Sequence, residues 1–416
     1  MKNIFKIAFR NLKRYKRRTL LTSSLIIFGV VLVIVFSGIS SSFKQMMIGT
    51  ITDSMLGHVQ IHKKGYVSSI DNLPLHLNLK GKQIDQLKGL LDSHENVEAY
   101  TFRIKLGAML SNYKETTNIR LTAVYPEMEN KTSPALVDRI IESSNSAAEF
   151  VAEGELIIPE NLAKGLSLKP GDDIVLVANN KDGSVNGIAL KISGIMQGLT
   201  GPSGRDGYIH IEDAKSLLRI DGNEISEIAI RLKKSENLNK EKTILLNELN
   251  QFTNKNDKPV YELHTWAQLS PFSTIVTVVD LLIVTVKIVL VAIVLISILN
   301  VMMMSVYERI SEIGTISAIG TLPSRILSLF LAEGFLLGLL STAVGNVIGV
   351  LALYLINMSN FHFSFGRMQN ILLQTTIAPA ELVTVSFIVI AITLISSFQP
   401  ALKASKMQPV DALRHV

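Results

Sequence analysis

The sequence predicts an α-helical membrane protein with four transmembrane helices plus a large α+β extracytoplasmic domain of two subdomains. Three observations predict it. Apolar runs of membrane length lie near both ends of the chain and none lies between them. The middle, from about Phe43 to Leu269, mixes both signs of charge with glycine and turn signals. Eight basic residues and no acidic one precede Thr19.

Hydrophobic residues make up 48% of the chain and charged ones 18%, outside the ordinary soluble class. The net charge of +6 is concentrated before the first span, so it reads as an orientation signal, and no nucleic-acid partner is expected. The sequence has no cysteine. That excludes a disulfide scaffold, thiolate metal sites, cysteine nucleophiles and a thiol-linked lipid anchor.

Residues 1–19 alternate Ile4, Phe5, Ala8, Phe9 and Leu12 with Lys2, Lys6, Arg10, Lys13, Arg14, Lys16, Arg17 and Arg18. The spacing describes either an amphipathic helix on the inner membrane surface or a plain topogenic charge cluster. The first span, 20–42, exceeds the apolar core of a secretory signal and no A-x-A site follows it. Phe43, Met46, Met47 and Ile51 continue its helical pattern. The extracytoplasmic domain occupies 43–269. A stalk and second span, 270–306, carry only Asp280 and Lys287 after Ile275. Lys287 reads as snorkelling to the outer interface, with an anionic headgroup as the alternative. A charged cytoplasmic segment, 307–325, is closed by Pro323. The third span is 326–356, a short outer loop 357–380, the fourth span 381–398, and the cytoplasmic tail 399–416.

In the third span Gly334 and Gly338, then Gly345 and Gly349, share a helix face in each pair and read as helix-packing sites, with a substrate path as the alternative. Glu333 reads as an intramembrane carboxylate within a few turns of the inner boundary that must find a partner, take up a proton or reach the headgroups, with structural pairing or a direct coupling role as its use. Asn300 and Asn346 read as interhelical hydrogen bonds, and Met302, Met303 and Met304 as span packing or adaptable surface. In the outer domain, His58, Gln60 and His62 alternate with Val59 and Ile61 as a strand with one solvated polar face; a metal pair there lacks a third ligand. Ile84 to Leu91 reads as a helix, Asn118 to Val124 and Asp173 to Val177 as strands, and Glu155 to Ala163 as a strand entering a helix.

Four stretches resemble permease subunits of the MacB/FtsX/lipoprotein-release (Lol-type) mechanotransmission superfamily of ATP-binding cassette (ABC) systems. They are FKIAFRNLKRYKRRTLLT at the start, GHVQI at Gly57, GELIIPENLAKGLSLKPGDDIVLV from Gly154 with LKISGIMQ and DGYIHIEDAKSLL after it, and SVYERISEIGTISAIG with LAEGFLLG and QPALKASKMQPVDALR. The resemblance implies that Tyr307 to Gly320 is the coupling helix that docks on a cytoplasmic ATPase, through Tyr307, Glu308, Arg309, Ile310, Glu312, Ile313, Gly314 and Gly320. Ile310, Ile313, Ile316 and Ile319 form an i, i+3 stripe facing either the membrane or the partner's groove, with Glu308, Arg309 and Glu312 on the opposite surface; an ordinary amphipathic interfacial helix is the alternative. The tail with Pro400, Pro409, Asp411, Leu413 and Arg414 is similar to the family's C-terminal signature.

The resemblance further implies a subdomain inserted at about 151–219. It also implies a cargo cavity between the first and second spans, lined by Ile26, Phe28, Val30, Val33, Ile288, Val291 and Leu295. The connection Ala178 to Gly187 is too short for the chaperone-capturing hairpin of one family branch, and the Gly198 to Gly207 loop reads as a connection or a partner contact. The implied partners are two copies of an ABC ATPase, a second permease copy or related permease, membrane lipid, and a lipoprotein cargo or periplasmic adaptor. Localisation follows as the bacterial inner membrane with the large domain in the periplasm. The implied function is extraction or release of lipoproteins; the alternatives are MacB-like efflux of drugs, peptides or toxins, and an FtsX-like signal to a cell-wall hydrolase. No G-x-x-x-x-G-K-[ST], H-E-x-x-H or G-x-S-x-G occurs, so the chain is not expected to be an enzyme. It is expected to hold no cofactor or metal, ATP and Mg belonging to the partner.

Overall fold

A computed structural model describes residues 2–144, 150–198, 204–234, 238–359, 362–365, 368–372 and 374–408. The chain forms two compact units, one from Met1–Met46 with Val276–Val416 and one from Met47–Ile275. It starts with α1 (Lys2–Arg14) and α2 (Lys16–Ile51), followed by a π-helical turn, Thr52–Leu56. Gly57 ends that turn at φ +69°, where a Cβ would also meet the Ile230 carbonyl oxygen at 2.9 Å. Only glycine lets the chain swing here from helix into strand.

The globular unit then runs β1 (Val59–Lys63), β2 (Leu79–Lys80), α3 (Gly81–Ser93), β3 (Val97–Ser111), β4 (Thr116–Val124), α4 (Pro126–Thr132), β5 (Ile140–Ser143), β6 (Glu155–Pro159), α5 (Glu160–Leu166), β7 (Asp173–Asn179), β8 (Val185–Met196), β9 (Asp206–His210), α6 (Ile211–Leu218), β10 (Glu224–Ile225), β11 (Glu227–Leu232), α7 (Leu238–Leu249), β12 (Tyr261–Thr265) and α8 (Trp266–Leu269). A mixed sheet takes the order β12-β1-β11-β3-β4-β9-β6-β8-β5, with β7 pairing β3 and β8. The segment expected as an insertion supplies β6 to β9, joined to β4 through the parallel pairing of β9 from Arg120↔Asp206 to Val124↔His210. It therefore shares one sheet and one apolar core with the rest of the unit: Val59, Ile61, Ile104, Leu106, Leu121, Leu156, Ile192, Ile209 and Ile230 belong to a single buried cluster. The expected helix and strands fall within α3, β4, β7, β6 and α5.

One reading of this unit is corrected. His58, Gln60 and His62 are buried, not solvated, because the polar face of β1 is covered by its own chain. Gln60 Nε2 donates to the Leu56 carbonyl at 2.9 Å, His58 Nδ1 accepts from the Leu232 amide at 3.0 Å, and His62 stacks on Tyr66. Nearby, fully buried Arg103 donates to Glu129, Ser133, Glu227 and the Met55 carbonyl. Burial opposes ionisation of Glu227, but Lys105, His62 and Arg103 outweigh it and hold the carboxyl well below its usual range.

The helical unit is completed by α9 (Phe272–Glu308), α10 (Ile310–Ala318), α11 (Pro323–Met358), the β13 (His362–Phe365) and β14 (Met368–Leu372) hairpin, and α12 (Pro379–Ser405). Helices α2, α9, α11 and α12 are each long and apolar enough to cross a membrane. Their excess over the roughly 20 residues a span requires leaves helix beyond the hydrocarbon. Val30 packs on Gly345, Ile34 on Gly349 and Gly38 on Leu353. These three contacts share one register, so α2 and α11 run parallel, and the same offset sets Glu333 level with Arg18. Glu333 thus lies at the edge of the apolar run that starts at Leu20, close to the inner boundary as the sequence reading has it.

Candidate functional site

The segment expected as one helix from Tyr307 to Gly320 is divided. Tyr307 and Glu308 end α9, Arg309 leaves the helical region at φ −111°, ψ 17°, and α10 starts at Ile310. Gly320, at φ +90°, stops it, and Pro323 opens α11 at its first turn, where its missing amide costs nothing.

The break coincides with an ion pair. Arg309, 4% exposed, sends Nη1 to both oxygens of Glu333 at 3.0 and 3.1 Å, and Nε to Glu312 Oε2 at 3.1 Å. Glu333, 1% exposed, also accepts from Asn11 Nδ2 at 2.6 Å. Glu312 accepts from the Tyr15 hydroxyl at 2.6 Å and lies 3.7 Å from Arg14. The Arg309 guanidinium is stacked near the rings of Tyr15 and Phe330, 5.4 and 5.3 Å from their centroids. The node therefore joins α1, the end of α9, α10 and α11. The sequence reading placed Arg309 and Glu312 on the surface opposite the isoleucine stripe; in the structure Glu333 and Tyr15 receive them within the helical unit.

The Tyr15 hydroxyl first, and Arg309 after it, hold the Glu312 carboxyl below its usual range. Burial alone would weaken the Arg309 charge, but Glu333 and Glu312 outweigh it and raise its pKa. Beside the node, Ile313 packs with Val306, Ile326, Phe330, Ala401 and Ala404, and Gly314 is buried. The stripe of isoleucines is thus split. Ile310 is half-buried and Ile313 buried, whereas Ile316 and Ile319 are exposed with Tyr307, Glu308, Ser311 and Thr315. Tyr307 accepts a hydrogen bond from Lys403 of α12.

The glycine pairs of α11 face two different neighbours. A Cβ on Gly334 would collide with Ser397, and one on Gly338 with Thr393, both on α12. On Gly345 and Gly349 it would come within 2.8 Å of Val30 and 2.9 Å of Ile34 on α2. These contacts form a seam of small residues that lets backbones approach closely. Asn346 adds an interhelical hydrogen bond to Ser386 at 2.8 Å, while Asn300 is exposed on α9. Met302 is buried and Met304 exposed.

The residues expected to line a cargo cavity do not share a surface. Ile26, Val30 and Val33 are buried in the core of the helical unit with Val294, Ile298, Leu337, Leu353 and Val385. Val291 and Leu295 are half-buried, and Phe28 and Ile288 are exposed. Composition could not assign these faces, because α2 is apolar on every side and so carries no phase. Lys287 does not snorkel alone; it pairs with Glu381 of α12 at 2.7 Å, and Lys44 pairs with Asp280 at 2.7 Å. Pro400 is buried within α12. Pro409, Asp411, Leu413 and Arg414 lie outside the described residues, as does 199–203 of the Gly198 to Gly207 loop. The β7–β8 turn is short, as expected, closed by the Asn180 amide donating to the Ser184 carbonyl at 2.9 Å and the Asn180 carbonyl accepting from the Gly183 amide at 3.0 Å. Among the described residues no group of histidines and carboxylates is arranged to hold a metal.

Sequence reasoning missed Asn11 and Tyr15. Their signal was present: two polar uncharged side chains four residues apart in line with Ala8 and Leu12, Asn11 within α1 and Tyr15 directly after it.

Two family models match the chain: the MacB-like periplasmic core domain over residues 19–243 and the FtsX-like permease C-terminal domain over residues 283–409. The lipoprotein-releasing system transmembrane protein LolC of Neisseria meningitidis is 20% identical over 443 residues, 98% of each chain. LolC of Haemophilus influenzae is 23% identical over 290 residues, 67% of this chain and 70% of that protein. The periplasmic region of MacB from Actinobacillus actinomycetemcomitans aligns with a TM-score of 0.36 and 10% identity, covering 51% of this chain and 89% of that structure.

Proposed function

The chain belongs to the MacB/FtsX/LolC family of ABC transporter permeases, and from that premise we propose that it couples ATP hydrolysis by a separate subunit to the release of lipoproteins from the inner membrane. The observation that carries the coupling half is the state of α10. Its base is fastened to α1, α9 and α11 through Arg309, while Glu308, Ser311, Thr315, Ile316 and Ile319 stand exposed. An exposed apolar pair rimmed by hydroxyls and one carboxylate suits a shallow groove on a partner, and the fastened base passes on a push instead of absorbing it. The basic start of the chain orients this end toward the cytoplasm. The large domain is then periplasmic, and ATP with Mg sits in the partner, two copies of which serve a pair of permeases, either identical or related.

The cargo half is supported by the likeness to LolC along nearly the whole chain. The short β7–β8 turn leaves any periplasmic carrier to dock elsewhere on the globular unit. The test is reconstitution of the permease with its ATPase in vesicles loaded with a triacylated protein. ATP-dependent release of that protein supports the reading. Retention of the acylated protein together with ATP-dependent export of a drug or peptide would transfer the chain to the efflux branch and its adaptor. If neither cargo moves and ATP instead activates a cell-wall hydrolase, the chain is a transmembrane signaller.

A further inference from the structure

Helix α1 has three faces. Ala8 and Leu12 are buried, with Asn11 and Tyr15 in the node. Phe5 and Phe9 form an apolar flank, 42% and 53% exposed, with Phe5 edge-on to Phe335 of α11. On the remaining side Lys6, Arg10, Lys13 and Arg14 recur at helical spacing, and Arg17 extends the stripe into α2; all five are exposed.

The level of this helix is fixed. Asn11 bonds to Glu333, which is level with Arg18, and the exposed apolar surface of α2 begins at once with Leu20 and Leu21. Helix α1 therefore lies where hydrocarbon gives way to headgroups, with its aromatic flank and its cations side by side. No acidic residue occurs before Asp53, so nothing on the first two helices neutralises the stripe except the 3.7 Å approach of Glu312 to Arg14. A cationic, aromatic-flanked helix at that depth complements a negatively charged headgroup layer.

We propose that the outward face of α1 is a binding site for anionic phospholipid headgroups, held by Lys6, Arg10, Lys13, Arg14 and Arg17 and anchored by Phe5 and Phe9. Because Asn11 and Tyr15 occupy the opposite face, lipid held there also steadies Glu333 and Glu312. That consequence for coupling rests on the function proposed above, whereas the lipid contact does not.

The absence of native cysteine makes the test direct. Full-length Phe9→Cys carrying a bimane fluorophore is placed in nanodiscs containing equal mole fractions of either brominated phosphatidylglycerol or brominated phosphatidylcholine. Quenching by the anionic lipid should be at least twofold greater. The ratio should fall toward one in about 0.5 M salt, where the screening length shrinks to about 4 Å, and in the Arg10→Gln/Lys13→Gln background. A fluorophore at Val347→Cys, 70% exposed on α11, should show no preference. A ratio of one at residue 9 in low salt, or a ratio indifferent to salt, overturns the proposal and leaves the basic stripe to an acidic protein surface. Salt screening needs no charge variant, so a misinserted double variant does not spoil the test. Failure of the ATPase reading would leave the quenching ratio unchanged.

Discussion

Replacing Glu333 by leucine should destabilise the helical unit far more than replacing Glu333 and Arg309 together. Both side chains are almost completely buried and bonded through two contacts of 3.0 and 3.1 Å. Removing one member of such a pair strands the other charge, at a cost of about 3 to 5 kcal/mol. Glu312 still accepts from Arg309, so the lower end, about 3 kcal/mol, is expected for Glu333→Leu. At about 2 to 4 °C per kcal/mol for a unit of this size, the apparent melting temperature should drop by about 6 to 12 °C. The double variant Arg309→Met/Glu333→Leu leaves no stranded charge and substitutes apolar volume, so most of that loss should return. Intrinsic or dye-reported melting of the purified chain in one detergent checks all three proteins. A single variant that melts within about 2 °C of the parent, or a double variant as unstable as the sum of both singles, would refute the account of the node as a desolvated pair.

Other consequences follow from the same geometry. Gly334→Ala and Gly338→Ala push a methyl into Ser397 and Thr393 and should each cost about 1 to 3 kcal/mol, read as a lower melting temperature. Ile316→Glu or Ile319→Glu, at exposed positions on and just beyond α10, should leave melting unchanged and weaken co-purification of the ATPase by at least about tenfold; unchanged association would remove α10 as the docking element. The depressed Glu312 pKa makes its contribution fully present above the ordinary carboxylate value of 4.5 and lost as pH falls through the lower folded value. A spin label at Lys13→Cys should accordingly stay immobile from pH 8 to 5 and loosen only in stronger acid, and Tyr15→Phe should move that loosening upward. Burial lowers the His58 pKa, so the globular unit should lose stability as pH falls below about 6.5, where the unfolded chain takes up the proton first; His58→Gln, which keeps an acceptor for the Leu232 amide, should flatten that slope.

The spans, their order and the short polar helix were legible because hydrophobic run length is a local property. Glu333 was legible as a residue in need of a partner, yet the partner was not, since Arg309 and Asn11 reach it from 24 and 322 positions away. A separation of 94 positions likewise hid the pairing of Lys287 with Glu381. Strand β1 misled for a different reason: alternation separates its two faces, but it does not say whether the polar one meets water or Arg103, Glu227 and their neighbours. Helix α2 misled because apolar residues surround it, so Val30 and Phe28 look alike until Gly345 is seen to receive one of them. The glycine pairs were legible as small surfaces, whereas their two partners, α12 and α2, were not.

The tight seating of Ser397 and Thr393 against Gly334 and Gly338 leaves no slack between α11 and α12, so those two helices must travel as a single plank. Helix α9 is built otherwise: only 11% of its apolar window is buried, and it is held by Val294, Ile298 and Met302 in the shared core and by the Lys287–Glu381 pair. Under the coupling role proposed above for α10, a stroke delivered there meets a closely fitted pair on one side and a sparsely buried helix on the other.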